Sequence, residues 1–183
     1  AFIADIKLLI ARAQADNERI DDVLANYLIA DSQSLGPVFT RALVYLERNQ
    51  QDKLKELVME MEASLQIAGD ERPDAESTLL GFVALYALKM DKEKLAEAIE
   101  AYYAGVKPDA LRIVENRTIP VAYAIAGDSE ALLDYLEKVV AQFGPWEFYY
   151  FIIDPSFADM RDLPRFKALE QQYRQWLAKQ EAK

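Results

Sequence analysis

The chain has 183 residues, 52% of them hydrophobic and 28% charged. That is enough apolar material for one domain or one short repeat array, and too much for a disordered chain. A net charge of −10, from 21 basic and 31 acidic residues, argues against a nucleic-acid surface, which needs clustered Lys and Arg. Without Cys or His there is no disulfide, thiolate nucleophile, imidazole base or ordinary zinc site, and no cofactor is expected.

Taken in chain order, the apolar spacing predicts helices over Phe2–Ala15, Asp16–Ala30, Pro37–Arg48, Gln51–Ile67, Asp74–Lys89, Asp91–Ala104, Asp109–Ala126 and Ser129–Phe143. Pro120 falls inside the seventh and is expected to kink or split it. No strand-like alternation bounded by turns interrupts the series, so the fold class is all-α. The longest apolar stretch, Leu79 to Leu88, is too short for a membrane span, which takes roughly 20 residues. Ala1 opens directly on amphipathic sequence, so no signal peptide is expected within these residues. The missing initiator Met predicts a processed chain or part of a longer protein with an upstream domain. A soluble chain is expected, and cytoplasm and periplasm suit a Cys-free sequence equally.

Two registers repeat. Pro37, Pro73, Pro108 and Pro145 recur at spacings of 36, 35 and 37. Between them, Ala11, Tyr45, Tyr86 and Tyr123 are each followed five residues on by a polar residue (Asp16, Gln50, Asp91, Asp128). Each is followed nine and thirteen residues on by an aliphatic one: Ile20 and Leu24, Leu54 and Val58, Leu95 and Ile99, Leu132 and Leu136. The anchor closes one helix, the polar residue sits at the turn and caps the next helix, and the aliphatic pair lies on one face of that next helix. The units are therefore helix hairpins, with boundaries near 1–33, 34–69, 73–106 and 108–143, in a single domain that ends in a capping unit over 145–183.

These residues resemble the tetratricopeptide (TPR) repeat. The match is best over Leu79, Phe82, Val83 and Tyr86 followed by Met90, Asp91, Leu95, Ala96, Ile99 and Tyr102, ending at Pro108. The next best runs over Ile119, Pro120 and Tyr123 followed by Gly127, Asp128, Leu132 and Leu136. Val83 and Pro120 stand where the family prefers a small residue, and Leu95 and Leu132 where it prefers Ala. The resemblance implies a right-handed α-superhelix of about four hairpins. A second stretch, from Asp154, Pro155, Ser156 and Phe157 through Met160, Arg161, Pro164, Arg165 and Phe166 to Leu169, is similar to the tail closing many bacterial TPR arrays. Such arrays often follow a DNA-binding or other signalling domain.

A solenoid needs a terminal unit with one apolar and one wet face. Phe166, Leu169, Tyr173, Trp176 and Leu177 supply the apolar face at helical spacing. In that helix Arg165, Lys167, Arg174, Lys179 and Lys183 outnumber Glu170 and Glu181. Two readings follow: a cap that satisfies acidic neighbours, or a docking helix for an acidic partner. The aromatic run Trp146–Ile153 reads as a buried short helix joining array to cap, or as a stacking platform for a ligand such as a sugar.

In the TPR family the first helix of each hairpin lines the concave face. Carried over, the partner-binding positions are Arg12, Phe39, Leu43, Glu47, Leu80, Ala84, Arg117 and Val121, beside Asp5, Leu9, Ser77, Leu88 and Ile125. This lining suits an apolar groove for a peptide or helix oriented by Arg12 and Arg117. The competing reading is that tight curvature buries these residues against one another. Glu60 with Glu62, Asp21 with Asp22 and Glu97 with Glu100 are the carboxylate pairs that an acid/base enzyme would need, and nothing in the sequence places two in one apolar pocket. Asp154, Asp159 and Asp162 lack the spacing and Gly of a calcium loop, and Asn116-Arg117-Thr118 is a short glycosylation sequon.

Three functions fit. The first, implied by the resemblance, is the C-terminal interaction or sensory part of a bacterial transcriptional regulator, binding a protein, peptide or effector on its concave face. The second is a free-standing scaffold that acts as a homodimer. The third is a carboxylate-based enzyme on an α-superhelix; the chain is read as no enzyme, with no membrane span and no nucleic-acid contact.

Overall fold

The computed structural model describes residues 2–30, 35–71, 75–105 and 117–181, with side chains from 7 to 25 and from 38 onward within those ranges. Ten α-helices and two 3₁₀ turns make up the ordered elements among the described residues. They are α1 (Phe2–Ala13), α2 (Asn17–Ala30), α3 (Leu35–Glu47), α4 (Gln51–Glu71), α5 (Glu76–Leu88), α6 (Lys92–Gly105), α7 (Thr118–Ile125) and α8 (Ser129–Phe143). A 3₁₀ turn (Pro145–Phe148), α9 (Tyr149–Ile153), a second 3₁₀ turn (Pro155–Met160) and α10 (Pro164–Glu181) complete the chain.

Most expected boundaries fall within two residues of those observed. The exception is α4, which runs on past Ile67 to Glu71. Pro120 sits in the first turn of α7 as described, where a missing N–H costs nothing. The expected start of that helix over 109–116 lies outside the described residues, as do Pro73, Pro108 and the side chain of Asp5.

The turns inside the four hairpins share one hydrogen-bond pattern. The backbone N–H of Asp16, Gln50, Asp91 and Asp128 donates to the carbonyl of Ala11, Tyr45, Tyr86 and Tyr123 at 2.8–3.0 Å. One residue earlier, Ala15, Asn49, Met90 and Gly127 have φ between 52° and 64°. Their N–H groups donate to Arg12, Leu46, Ala87 and Ala124. This nested pair of bonds around one left-handed residue satisfies the last carbonyls of the first helix. The side chains of Asp16, Asp91 and Asp128 then accept from the N–H of Arg19, Lys94 and Ala131, capping the second helix. The five-residue offset in the sequence is therefore a turn geometry, and the aliphatic residue four positions later (Ile20, Leu54, Leu95, Leu132) is buried in every hairpin.

Each hairpin packs its two helices together, and first helices also meet one another: α3 packs on α5, and α5 on α7. Gly81 on α5 marks the closest approach to α4, since a Cβ there would lie 2.3 Å from Leu65 Cδ2. One apolar cluster joins α3, α4, α5, α7 and α8 to the C-terminal unit through Phe148, Phe151, Phe157 and Phe166. A second joins α5, α6 and α7, and a third joins α1 and α2 to Val44 of α3.

Candidate functional site

The C-terminal unit does more than cover the last hairpin. After α8 the chain turns at Gly144 (φ 96°), and the segment from Pro145 to Met160 runs back across the first helices. α9 reaches α1, and the second 3₁₀ turn packs on α7. Phe148, Phe151, Phe157 and Phe166 are fully buried, with ring centroids 4.9–5.8 Å apart along the series. Burying each such ring contributes about 1.5–3 kcal/mol. Three of the four, Phe148, Phe151 and Phe157, make this segment part of the core rather than a loosely held strap, and Phe166 of α10 packs on Phe148.

A buried ion network lies where the segment meets the first helices. Asp154 is fully buried and accepts from Arg117 at the head of α7. Its other oxygen lies 3.4 Å from Arg12 Nη2 and accepts from the Ser156 N–H at 3.0 Å. Arg12 also donates through Nε to Glu47 Oε2 at 3.1 Å, through Nη2 to Glu47 Oε1 at 2.5 Å, and to Ser156 Oγ at 2.9 Å. Arg161 donates to the Asp154 carbonyl at 3.1 Å, and the Arg117 guanidinium stacks over Tyr150 at 5.8 Å. Burial alone would pull the Arg12 pKa down, but the Glu47 hydrogen bond and the charges of Asp154 and Glu47 outweigh it and hold it above its ordinary value.

Of the eight residues named from the sequence, Arg12, Glu47 and Arg117 therefore converge: Glu47 pairs with Arg12, and Asp154 joins Arg12 to Arg117. Phe39, Leu43, Ala84 and Val121 are buried in the same apolar cluster as the tail phenylalanines. Leu80 is partly buried and packs on the α5–α6–α7 cluster instead. Among the neighbouring positions, Leu9 and Leu88 are buried and Ser77 is exposed. Sequence reasoning did not assign Asp154, Ser156 or Arg161 to this site. Its one available signal was an Asp-Pro pair opening a turn, which identifies a local cap (Asp154 does cap that turn) and nothing about a partner far away in the chain.

The tail leaves part of this face open. A cleft of about 430 Å³ lies at the ends of α3, α5 and α7, walled by Leu43, Leu46, Leu54, Leu88, Met90, Ile125 and Pro155, with Glu47, Gln51 and Ser156 as its polar groups. That size falls within the usual range for ligand sites. About a third of the Glu47 side chain is exposed there (31%). A carboxylate has about four acceptor positions, so it retains acceptor capacity toward the cleft beyond what Arg12 uses. A smaller groove of about 240 Å³ lies on the third hairpin, between Phe82, Tyr86, Lys94 and Glu97.

The other candidates are placed as follows. Asp21 pairs with Arg48 and Glu62 with Lys89, both at the surface. Arg165 binds Glu130, Asp134 and Glu137 of α8 at 2.6–2.9 Å, so the most basic point of the last helix is tied to its acidic neighbour within the fold. In the run Trp146–Ile153, Glu147, Phe148 and Phe151 are buried while Trp146 and Tyr149 are exposed. Among the described residues no cluster of acids could hold a metal ion, and no helix is long and apolar enough to cross a membrane. Comparison with known protein families, with curated proteins and with solved structures gives no match.

Proposed function

We propose that this chain is a TPR-like interaction domain, a right-handed superhelix of four hairpins that serves as the C-terminal part of a bacterial regulator. Its partner docks in the cleft between α3, α5 and α7. The observation that carries this reading is the cleft itself: it lies at the ends of the first helices where the tail leaves them open, and it contains Leu43 and Glu47 from the family's partner-facing positions. The four turns of one geometry support the repeat reading, because each hairpin reuses the same helix stop and the same cap.

The closed remainder of the face narrows the kind of binding. A long extended peptide along all the first helices would have to displace four buried aromatic rings and the Asp154 network, at a cost well above what one docked segment returns. A short apolar element, one or two side chains from a partner helix, fits the open cleft with no rearrangement.

The test is site-specific photocrosslinking in the native host. A benzophenone side chain replaces Met90, which is 65% exposed at the cleft rim, and, as a control, exposed Glu93 one turn away. A discrete protein adduct at Met90, absent at Glu93 and lost when Leu46→Glu charges the cleft wall, is the expected result. Equal labelling at both positions, or none at Met90, would remove the cleft as the binding surface.

A further inference from the structure

We propose that the docked partner inserts a lysine side chain into the cleft at the ends of α3, α5 and α7. The inference rests on the reading of that cleft as the docking site and names the chemistry of its occupant. None of the described residues lining the cleft is basic, and Glu47 is the one ionised group among them. Glu47 pairs with Arg12, but the pair is not symmetrical toward the cleft: the Glu47 side chain is 31% exposed and that of Arg12 only 4%. Arg12 also faces Asp154, at 3.4 Å. An entering group therefore meets the negative end of the pair.

The backbone adds charge of the same sign. α3 ends at Glu47, α5 at Leu88 and α7 at Ile125, and all three residues line the cleft. Three helix C-termini, each carrying partial negative charge, thus border one opening. A single N-terminus, that of α4 at Gln51, opposes them there. The net charge of −10 draws cations at longer range.

Hydrogen-bonding capacity selects an ammonium among the possible cations. Arg12 Nε lies 3.2 and 3.1 Å from the two Glu47 oxygens, and Nη2 bonds Oε1 again. That side of the carboxylate is taken, so it cannot receive a second guanidinium in bidentate fashion. Oε2 keeps one acceptor position, which is all that an ammonium needs. Ser156 Oγ accepts from the same Arg12 Nη2 at 2.9 Å, so it lies beside the carboxylate and retains a lone pair. Gln51 Nε2 donates to Asn49 Oδ1 at 3.2 Å, so the other end of that amide is an acceptor. Three acceptors match the three hydrogens of a lysine ammonium. The leucine walls suit its four-carbon stem. A wholly apolar side chain would cover those acceptors without giving them partners.

The test starts from the Met90 photoadduct and maps the residue it joins. The expected attachment site lies on a different protein, within one helical turn of a lysine. That protein, purified, is titrated against the full chain as found and with that lysine replaced by methionine, which keeps the stem and removes the ammonium. The replacement should weaken binding at least about tenfold. Glu47→Gln should weaken the unaltered partner similarly, and the two losses should not add. The partner variant meets an unaltered chain, so a folding defect in Glu47→Gln cannot produce its loss. No adduct at Met90 removes the docking site, and this inference with it. The docking site stands and the lysine is overturned by any of three results: an attachment segment without a lysine in reach, an adduct with a second copy of this chain, or losses that are absent or simply additive.

Discussion

Arg12 of α1 and Asp154 of the C-terminal unit lie 3.4 Å apart in the interior, although they come from opposite ends of the chain. The contact fastens the last element to the first helix, with Arg117 holding the other oxygen of the same carboxylate. Asp154 is thus the joint between the hairpins and the tail that crosses them.

Removing that joint leaves buried guanidinium charge without its counter-ion. Asp154→Ala is expected to destabilise the protein by about 3–5 kcal/mol, read as a fall in the urea midpoint. A double variant, Arg12→Met with Asp154→Leu, should recover part of that loss, because it removes the more deeply buried of the two guanidinium groups that Asp154 neutralises and leaves Arg117, whose side chain is 26% exposed, within reach of water. A double variant less stable than the sum of the two single changes would contradict this account of the network.

The hairpin turns allow a test of backbone strain without change of packing. Gly127 has φ 64° and open space where a Cβ would go. Gly127→Ala should therefore cost about 1 kcal/mol through conformation alone. At the equivalent turn Met90 occupies φ 55° with an exposed side chain, and Met90→Gly should raise stability or leave it unchanged. Thermal unfolding of the two variants reads opposite signs if the turns are equivalent.

Alkaline stability follows from the tyrosines packed between α6, α7 and α8. Burial, and then the neighbouring phenols, raise the pKa of Tyr103 and of Tyr135. The folded state therefore keeps these protons longer than the unfolded chain, whose tyrosines titrate near 10. The stabilisation is complete below about pH 10 and is lost as pH rises above it, at up to about 1.4 kcal/mol per pH unit for Tyr135. Urea midpoints at about pH 8 and about pH 11 should diverge in the native chain and less so in Tyr135→Phe. An equal drop in both would assign the loss to other groups.

Truncation tests the tail. Phe166 and Leu169 are buried against the preceding elements, so deleting residues 164–183 bares the apolar faces of α8 and of the Pro145–Phe148 turn. Aggregation is the expected outcome, and Phe166→Ala alone should cost about 3–5 kcal/mol. A soluble truncation with an unchanged unfolding midpoint would show that α10 does not seal the core.

Much of this fold was legible because its information is local. A helix stop needs a residue that tolerates left-handed φ, a following Asp or Gln and an aliphatic residue four positions on. All of these lie within about ten residues, so Tyr86, Asp91 and Leu95 announce a hairpin wherever it packs. The helical spacing of Leu54, Leu57, Met61 and Leu65 likewise identifies the buried side of α4 before any neighbour is known. The all-α class and the helix ends near Ser129 and Phe143 followed from such short-range rules.

The site was legible only as a list of lining residues. Arg12, Phe39, Glu47 and Val121 were assigned to one face only by resemblance to the TPR family, and what covers that face depends on where the chain goes after Gly144. A carboxylate can pair with any of the chain's arginines. Only the packing of Phe148, Phe151 and Phe157, each a nonspecific apolar residue in sequence, brings Asp154 between Arg12 and Arg117. Local spacing alone determined the helices and their turns. Tertiary structure decided which of the first-helix residues are covered by the chain's own tail and which line an open cleft, because hydrophobic burial carries no address and long-range ion pairs form only once it has chosen the geometry.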